Sequence, residues 1–255
     1  MTALLWSIVL IAAVAMPLAT AVTLHRGALA AGLPRRTAHR VAVGFAALWL
    51  IWLAVAWVLA DAGTFLQSAE ANPWIPVTVV GAMAVALALT RIPVVATILA
   101  QPGTAARLAA PQVWRVVGVA FLVALVAGDL PALFALPAGL GDIAVGVAAP
   151  YVVWRLARGR GRRGAIWFNA LGIVDLVTAI GLAVLTSLGP TRLVAVDPST
   201  VEATALPLAL IPTAIVPLAL ALHVLSLRRL RPPGDTEQGP GDPGTAHARV
   251  VSATR

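Results

Sequence analysis

The stretch LLWSIVLIAAVAMPLATAVTL, residues 4–24, followed by HRGALAAGLPRRTAHR, residues 25–40, decides the class of this chain. The first part is long and apolar enough to cross a bilayer, which takes roughly 20 residues. The second carries Arg26, Arg35, Arg36 and Arg40 and no acid. No basic residue precedes the apolar run, so it makes a poor secretory signal. Arginines directly behind it predict an N-terminus outside and a first loop in the cytoplasm, because basic loops are retained inside.

The rest of the chain repeats this alternation. Of 255 residues, 60% are hydrophobic and 11% charged, with a mean hydropathy of +0.93. Soluble domains carry about 25% charged residues, and a fold with so few could not cover its surface with hydrated groups. The absence of cysteine excludes disulfides, thiolate nucleophiles and Cys-ligated metals. All 18 basic residues are arginine, so a lysine Schiff base, and with it a retinal-binding protein, is excluded. A net charge of +8 would suit nucleic acid if the arginines formed one patch. They sit between apolar runs instead, so the expected partner is the lipid bilayer and not nucleic acid.

Seven spans are predicted, near 4–24, 41–60, 75–100, 113–130, 138–157, 165–188 and 203–227, within a transmembrane domain covering 1–230. The fold class is an all-α helical bundle. Alternate loops must then lie on alternate sides. Loop 25–40, segment 101–115 with Arg107 and Arg115, loop 155–164 and the C-terminal end together hold sixteen arginines on one side. Arg192 falls on the other, with Asp61, Glu70, Asp197 and Glu202. The positive-inside rule makes the arginine side cytoplasmic, with the bacterial inner membrane as the expected location. Trp6, Trp57 and Trp74 mark outer span ends, and Trp114, Trp154 and Trp167 inner ones, since indoles favour the headgroup region. Trp49 and Trp52 fall mid-span and read as packing or lipid contacts. Residues 231–255, rich in Pro and Gly and without apolar periodicity, read as a disordered cytoplasmic tail. The loop from Arg158 to Arg163 reads as a topology signal, or as a site for anionic lipid head groups.

The fourth and fifth spans are irregular. Counted from Arg115 at the inner surface, Asp129 lies about 21 Å up the helix; counted from Arg155, Asp142 lies about 20 Å up, in a core about 30 Å thick. Both carboxylates should stop short of the outer surface. The apolar linker LPALFALPAGLG, residues 130–141, either dips back as a re-entrant segment or continues the fourth helix past a Pro131 kink to a turn at Pro137. Alternatively the two aspartates simply cap helix ends at the outer boundary. Gly139, Asp142, Gly146 and Ala149 recur at helical spacing, a small-residue stripe that lets a neighbouring helix approach and turns Asp142 toward protein.

Asp175 falls near the centre of the sixth span, where an aspartate costs at least ~2.5 kcal/mol on the insertion scale. It shares a helix face with Asn169 and Gly172. Arg91 is its candidate partner if the third span runs to Ala100; if that span ends at Arg91-Ile-Pro93, Arg91 snorkels to the surface instead. His223 sits near the inner end of the seventh span, as a proton or packing residue. Pro207, Pro212 and Pro217 can kink that span. No metal-binding, haem, phosphate or dinucleotide motif stands out, so no cofactor and no catalytic residue is assigned.

The segment Gly128-Asp-Leu-Pro-Ala-Leu-Phe-Ala-Leu-Pro-Ala-Gly-Leu-Gly-Asp142, with Gly172-Ile-Val-Asp-Leu-Val, resembles stretches in uncharacterised bacterial multi-pass membrane proteins. That resemblance implies no activity. The residues themselves suggest a small transporter or permease with proton coupling, its pathway sought among Asp129, Asp142, Asp175, Arg91, Asn169 and His223. The alternatives are a structural, sensory or assembly protein and, third, an intramembrane enzyme.

Overall fold

The computed structural model describes residues 2–68 and 72–230, and among these the regular structure is entirely helical. Helices α1 (Thr2–Ala30) and α2 (Arg35–Asp61) are followed by α3 (Trp74–Leu89) and α4 (Pro93–Ala100). Next come α5 (Thr104–Ala109), a 3-10 segment (Ala110–Gly118) and α6 (Val119–Ala127), which together form one continuous 24-residue crossing. Helices α7 (Ala132–Ala157) and α8 (Arg162–Leu185) complete the middle of the chain. A short π-helical turn (Ile211–Ile215) then leads into α9 (Val216–Leu230).

Six helical stretches are long and apolar enough to cross a membrane, and α3 with α4 makes a seventh if that bent pair counts as one. Their outward faces are apolar: Val126 is 86% exposed, and Ile51, Val147, Trp167 and Val174 are all exposed. Only a lipid solvent makes such a surface stable. The chain is therefore an all-α membrane bundle. Residues 231–255 and Glu70 lie outside the described residues, and so does the expected tail.

Several span boundaries differ from the sequence expectation. The third span does not run straight to Ala100; α3 and α4 are bent by 83° across Thr90–Ile92, because Pro93 starts a new helix as its first residue. The fourth span starts at Thr104 rather than 113, so the apparent loop 104–112 is helix. Residues 130–141 are neither re-entrant nor interrupted at Pro137. The turn lies at 128–131, closed by Gly128 at φ +82°, and Pro137 sits inside α7. The seventh span starts at Ile211, so Pro207 precedes it.

Short connections at 31–34, 128–131 and 158–161 make successive helices antiparallel. One end of the bundle then gathers Arg35 and Arg36 at the start of α2, Arg158 and Arg160 in the 158–161 connection, and Arg228 and Arg229 at the end of α9. Arg91, exposed in the α3–α4 bend, joins that end. Arg115 leaves it, being wholly buried.

Helix α9 with its π turn is the central element, 72% of its crossing being buried. Pro217 has no N–H to give the carbonyl of Thr213, and π winding disturbs the ladder next to it. The mid-span tryptophans repair this. Trp52 Nε1 donates to Thr213 O at 3.0 Å and Trp49 Nε1 to Ala214 O at 3.2 Å. They thus tie α2 to the carbonyls of this disturbed turn by hydrogen bonds, and are more than packing. Trp52→Phe or Trp49→Phe is expected to cost about 0.6–1.7 kcal/mol each, the range of interhelical hydrogen bonds in membranes. Thermal unfolding in detergent measures it.

Candidate functional site

The 3-10 segment builds the site. With three residues per turn, its positions i and i+3 eclipse, so Gln112, Arg115 and Gly118 fall on one face. All three are buried. Gln112 of that face reaches α9, its Nε2 donating to Ala219 O at 3.0 Å, while Arg115 and Gly118 meet α7, where Gly139, Asp142, Gly146 and Ala149 are all buried too, as the small-residue stripe predicted. The contact is close enough to forbid larger residues. A Cβ on Gly146 would lie 2.7 Å from the backbone nitrogen of Val116, and one on Gly139 would lie 2.8 Å from Leu122.

Arg115 lies near the middle of its crossing and is 0% exposed. Its Nε donates to Asp142 Oδ1 at 2.6 Å, and its Nη2 donates to Asp175 Oδ2. Nη1 donates to the carbonyl of Gly172 at 3.3 Å and to His223 Nε2 at 3.2 Å. A guanidinium only donates, so His223 Nε2 accepts and the ring carries its proton on Nδ1. That proton points to Asn169 Oδ1 at 2.9 Å. Asn169 Nδ2 donates in turn to Ala165 O at 2.7 Å and Ser226 Oγ at 3.1 Å. Ser226 donates to the carbonyl of Ala105 at 3.4 Å. One directed chain of donors thus runs from the guanidinium through α9 and α8 to α5, holding the planar fork in place.

Three glycines give the cluster its room. A Cβ on Gly118 would collide with Asp142, one on Gly141 with the Asp175 carboxylate, and one on Gly172 with the His223 ring. Each polar side chain occupies the volume that any other residue would fill.

Of the six sequence candidates, four gather here: Asp142, Asp175, Asn169 and His223. Asp129 does not. It is exposed in the turn after α6, its amide donating to Ala124 O at 2.9 Å, which is the boundary position weighed against a buried one. Arg91 does not either; the α3–α4 bend carries it to the basic end, and the ion-pair partner of Asp175 is Arg115. The depth count for Asp129 fails, because Arg115 is buried and marks no surface, whereas the count from Arg155 rightly places Asp142 deep. Sequence reasoning missed Arg115 because the polar run before it, QPGTAARLAAPQ, reads as a loop. The available signal was the spacing of three linking Gln112, Arg115 and Gly118.

The two aspartates face different spaces. Asp142 lines a cavity of about 60 Å³ that extends toward the end away from the arginines, with Gln67, Phe134, Ala203 and Thr204 in its walls. Such a volume admits a few waters at about 10–15 Å³ each. Asp175 lies at the deep end of a groove of about 570 Å³ between α7 and α8, which runs toward the arginine end past Ala148, Val152 and Gly164. Its side chain is 17% exposed, against 7% for Asp142. With both carboxylates ionised the cluster has one negative charge in excess. Among the described residues, no group of three or more His, Asp or Glu is placed to hold a metal ion.

Neither a curated protein nor a solved structure matches the chain. A family model does match residues 72–231, a stretch that holds every member of the Arg115 cluster and leaves out α1 and α2, and the chain belongs to that family, described as a domain of unknown function (DUF8737).

Proposed function

We propose that this protein is a small proton-coupled membrane transporter in which Asp142, Arg115 and Asp175 form the proton-binding centre. The observation that carries this reading is the sharing of one buried guanidinium by two carboxylates that face separate spaces, one toward each end of the bundle. An ion pair of one acid and one base is already neutral at membrane depth. Two acids on one base leave a charge that a proton neutralises, and isolated charge at that depth is costly. A proton arriving on one carboxylate weakens its hold on Arg115 and leaves the guanidinium to the other. Alternation of that kind is what coupling requires, because the two partners compete for one cation. With the arginine end in the cytoplasm, the Asp175 groove faces inward and the Asp142 cavity outward.

Infrared spectroscopy of the full chain in lipid tests the centre without knowledge of the cargo. A protonated-carboxyl band that titrates with pH is expected, lost in Asp175→Asn and kept in Asp129→Asn. An unchanged band in Asp175→Asn would sink the proton role. A second reading is a structural lock, favoured by the complete burial of Arg115 and its bonds to α7, α8 and α9. It predicts no carboxyl band that titrates above the ordinary carboxyl range of about 4.

A further inference from the structure

The Asp175 groove has a composition of its own. Its walls between α7 and α8 are made by small residues, Gly141, Ala144, Ala148 and Gly164, and by Trp167 and Leu171. Trp167 is 67% exposed and Leu171 57% exposed, on the surface that faces lipid. A solute dissolved in the membrane reaches this groove sideways, without crossing water. Its floor is a carboxylate. Asp175 Oδ2 is held by Arg115, and Oδ1 has no hydrogen bond among the described residues. That carboxylate is packed against the backbone of Gly141, itself a groove residue.

We infer that the groove binds lipophilic organic cations, an aromatic or alkyl body lying along Trp167 and Leu171 with its positive charge at Asp175. This rests on the proton-binding role proposed above and names the cargo class. The charge balance supports it. With both aspartates ionised, the cluster has one uncompensated negative charge, and either one proton or one organic cation neutralises it. The two therefore exclude each other at Asp175: the cation enters as the carboxyl O–H bond breaks and the proton leaves to water. Trp167 adds an aromatic face, which attracts cations. An anionic cargo would meet a cluster already one negative charge in excess, and a neutral one would leave that excess charge buried.

The test uses the full chain in lipid nanodiscs and radiolabelled tetraphenylphosphonium, a lipophilic cation with no proton of its own. Saturable binding is expected, weakening by up to about tenfold per pH unit as protons compete in the acid range. One proton should be released per cation bound. Asp175→Asn should weaken binding by about ten- to a hundredfold, the loss expected for a charged partner, and abolish the pH dependence. Ala148→Phe fills the groove without touching the carboxylate and should weaken binding as well, in protein that remains monodisperse. Neutral triphenylphosphine oxide should not bind. Equal binding by Asp175→Asn, or by the neutral compound, would overturn the inference. Absence of saturable binding while the Asp175 carboxyl band still titrates would overturn it too, and leave the proton centre standing. Loss of that band in the unaltered protein would instead remove the proton role.

Discussion

Arg115→Leu is expected to destabilise the bundle by about 3–5 kcal/mol, the cost of breaking a buried ion pair from one side. The variant leaves Asp142 and Asp175 facing each other across an apolar side chain, with no other ion-pair partner among the described residues. It also strips His223 Nε2 of its donor and the Gly172 carbonyl of its side-chain donor. Most of the expected loss is therefore the penalty of what remains, not the worth of the pair. Two companion variants separate these. Arg115→Lys keeps the charge but loses the fork that serves both carboxylates at once, so it should fall between wild type and leucine. Removing all three charges together, as leucines, should restore much of the stability, since apolar replacement of a buried ion cluster is often neutral or better. Thermal unfolding and the monodisperse fraction in detergent give the order. The triple variant should fold and yet show no titrating carboxyl. If Arg115→Leu melts with wild type, the guanidinium is not the hub of the bundle.

The second large effect is expected at Gly118. A methyl there would collide with Asp142 and lie 2.7 Å from the carbonyl oxygen of Gly139. Backbone cannot step aside as a flexible side chain does, so the 3-10 segment must move away from α7. Overpacking of this kind costs about 1–3 kcal/mol, and here the shift also carries Arg115 away from Asp142. Gly44 and Gly81 are the controls. Both are helical and a Cβ on either meets nothing within 4 Å, so Gly44→Ala and Gly81→Ala should stabilise by up to about 1 kcal/mol through helix propensity alone. Equal melting shifts for Gly118→Ala and Gly44→Ala would show that close packing does not hold the cluster together. Gly141→Ala adds a sharper readout, because its methyl displaces the Asp175 carboxylate itself. It should alter the carboxyl band in a protein that loses less stability than Gly118→Ala, since a side chain yields more readily than backbone.

Much of the architecture was legible in residue order. Apolar runs bounded by arginines mark crossings whatever packs against them, because burial in lipid depends on each segment's own composition. The small-residue stripe of α7 was legible as well, since the four positions share one helix face. Asp175 declared itself by depth alone. The partner choices were not legible. Arg91 and Arg115 each follow an apolar or mixed stretch, and each reads equally well as a boundary residue or a buried one. What separates them is backbone geometry: Pro93 bends the chain outward at Arg91, while helix continues from Thr104 through Arg115. The same holds for Trp49 and Trp52. Their indoles became hydrogen-bond donors only because a segment distant in sequence, 213–217, presents the carbonyls of Thr213 and Ala214 to them.

The sequence by itself determined that this chain is a helical membrane protein, built of six or seven stretches long and apolar enough to cross a bilayer. This follows from the free energy of moving each segment out of water, a quantity summed locally along the chain. Only the tertiary structure decided that Arg115 is a buried hub and not a loop charge, that it binds Asp142 and Asp175 together, and that each carboxylate opens to a different space. Those outcomes depend on which helix faces meet, and the approach is set by glycines on three separate segments whose missing side chains leave room for the charges.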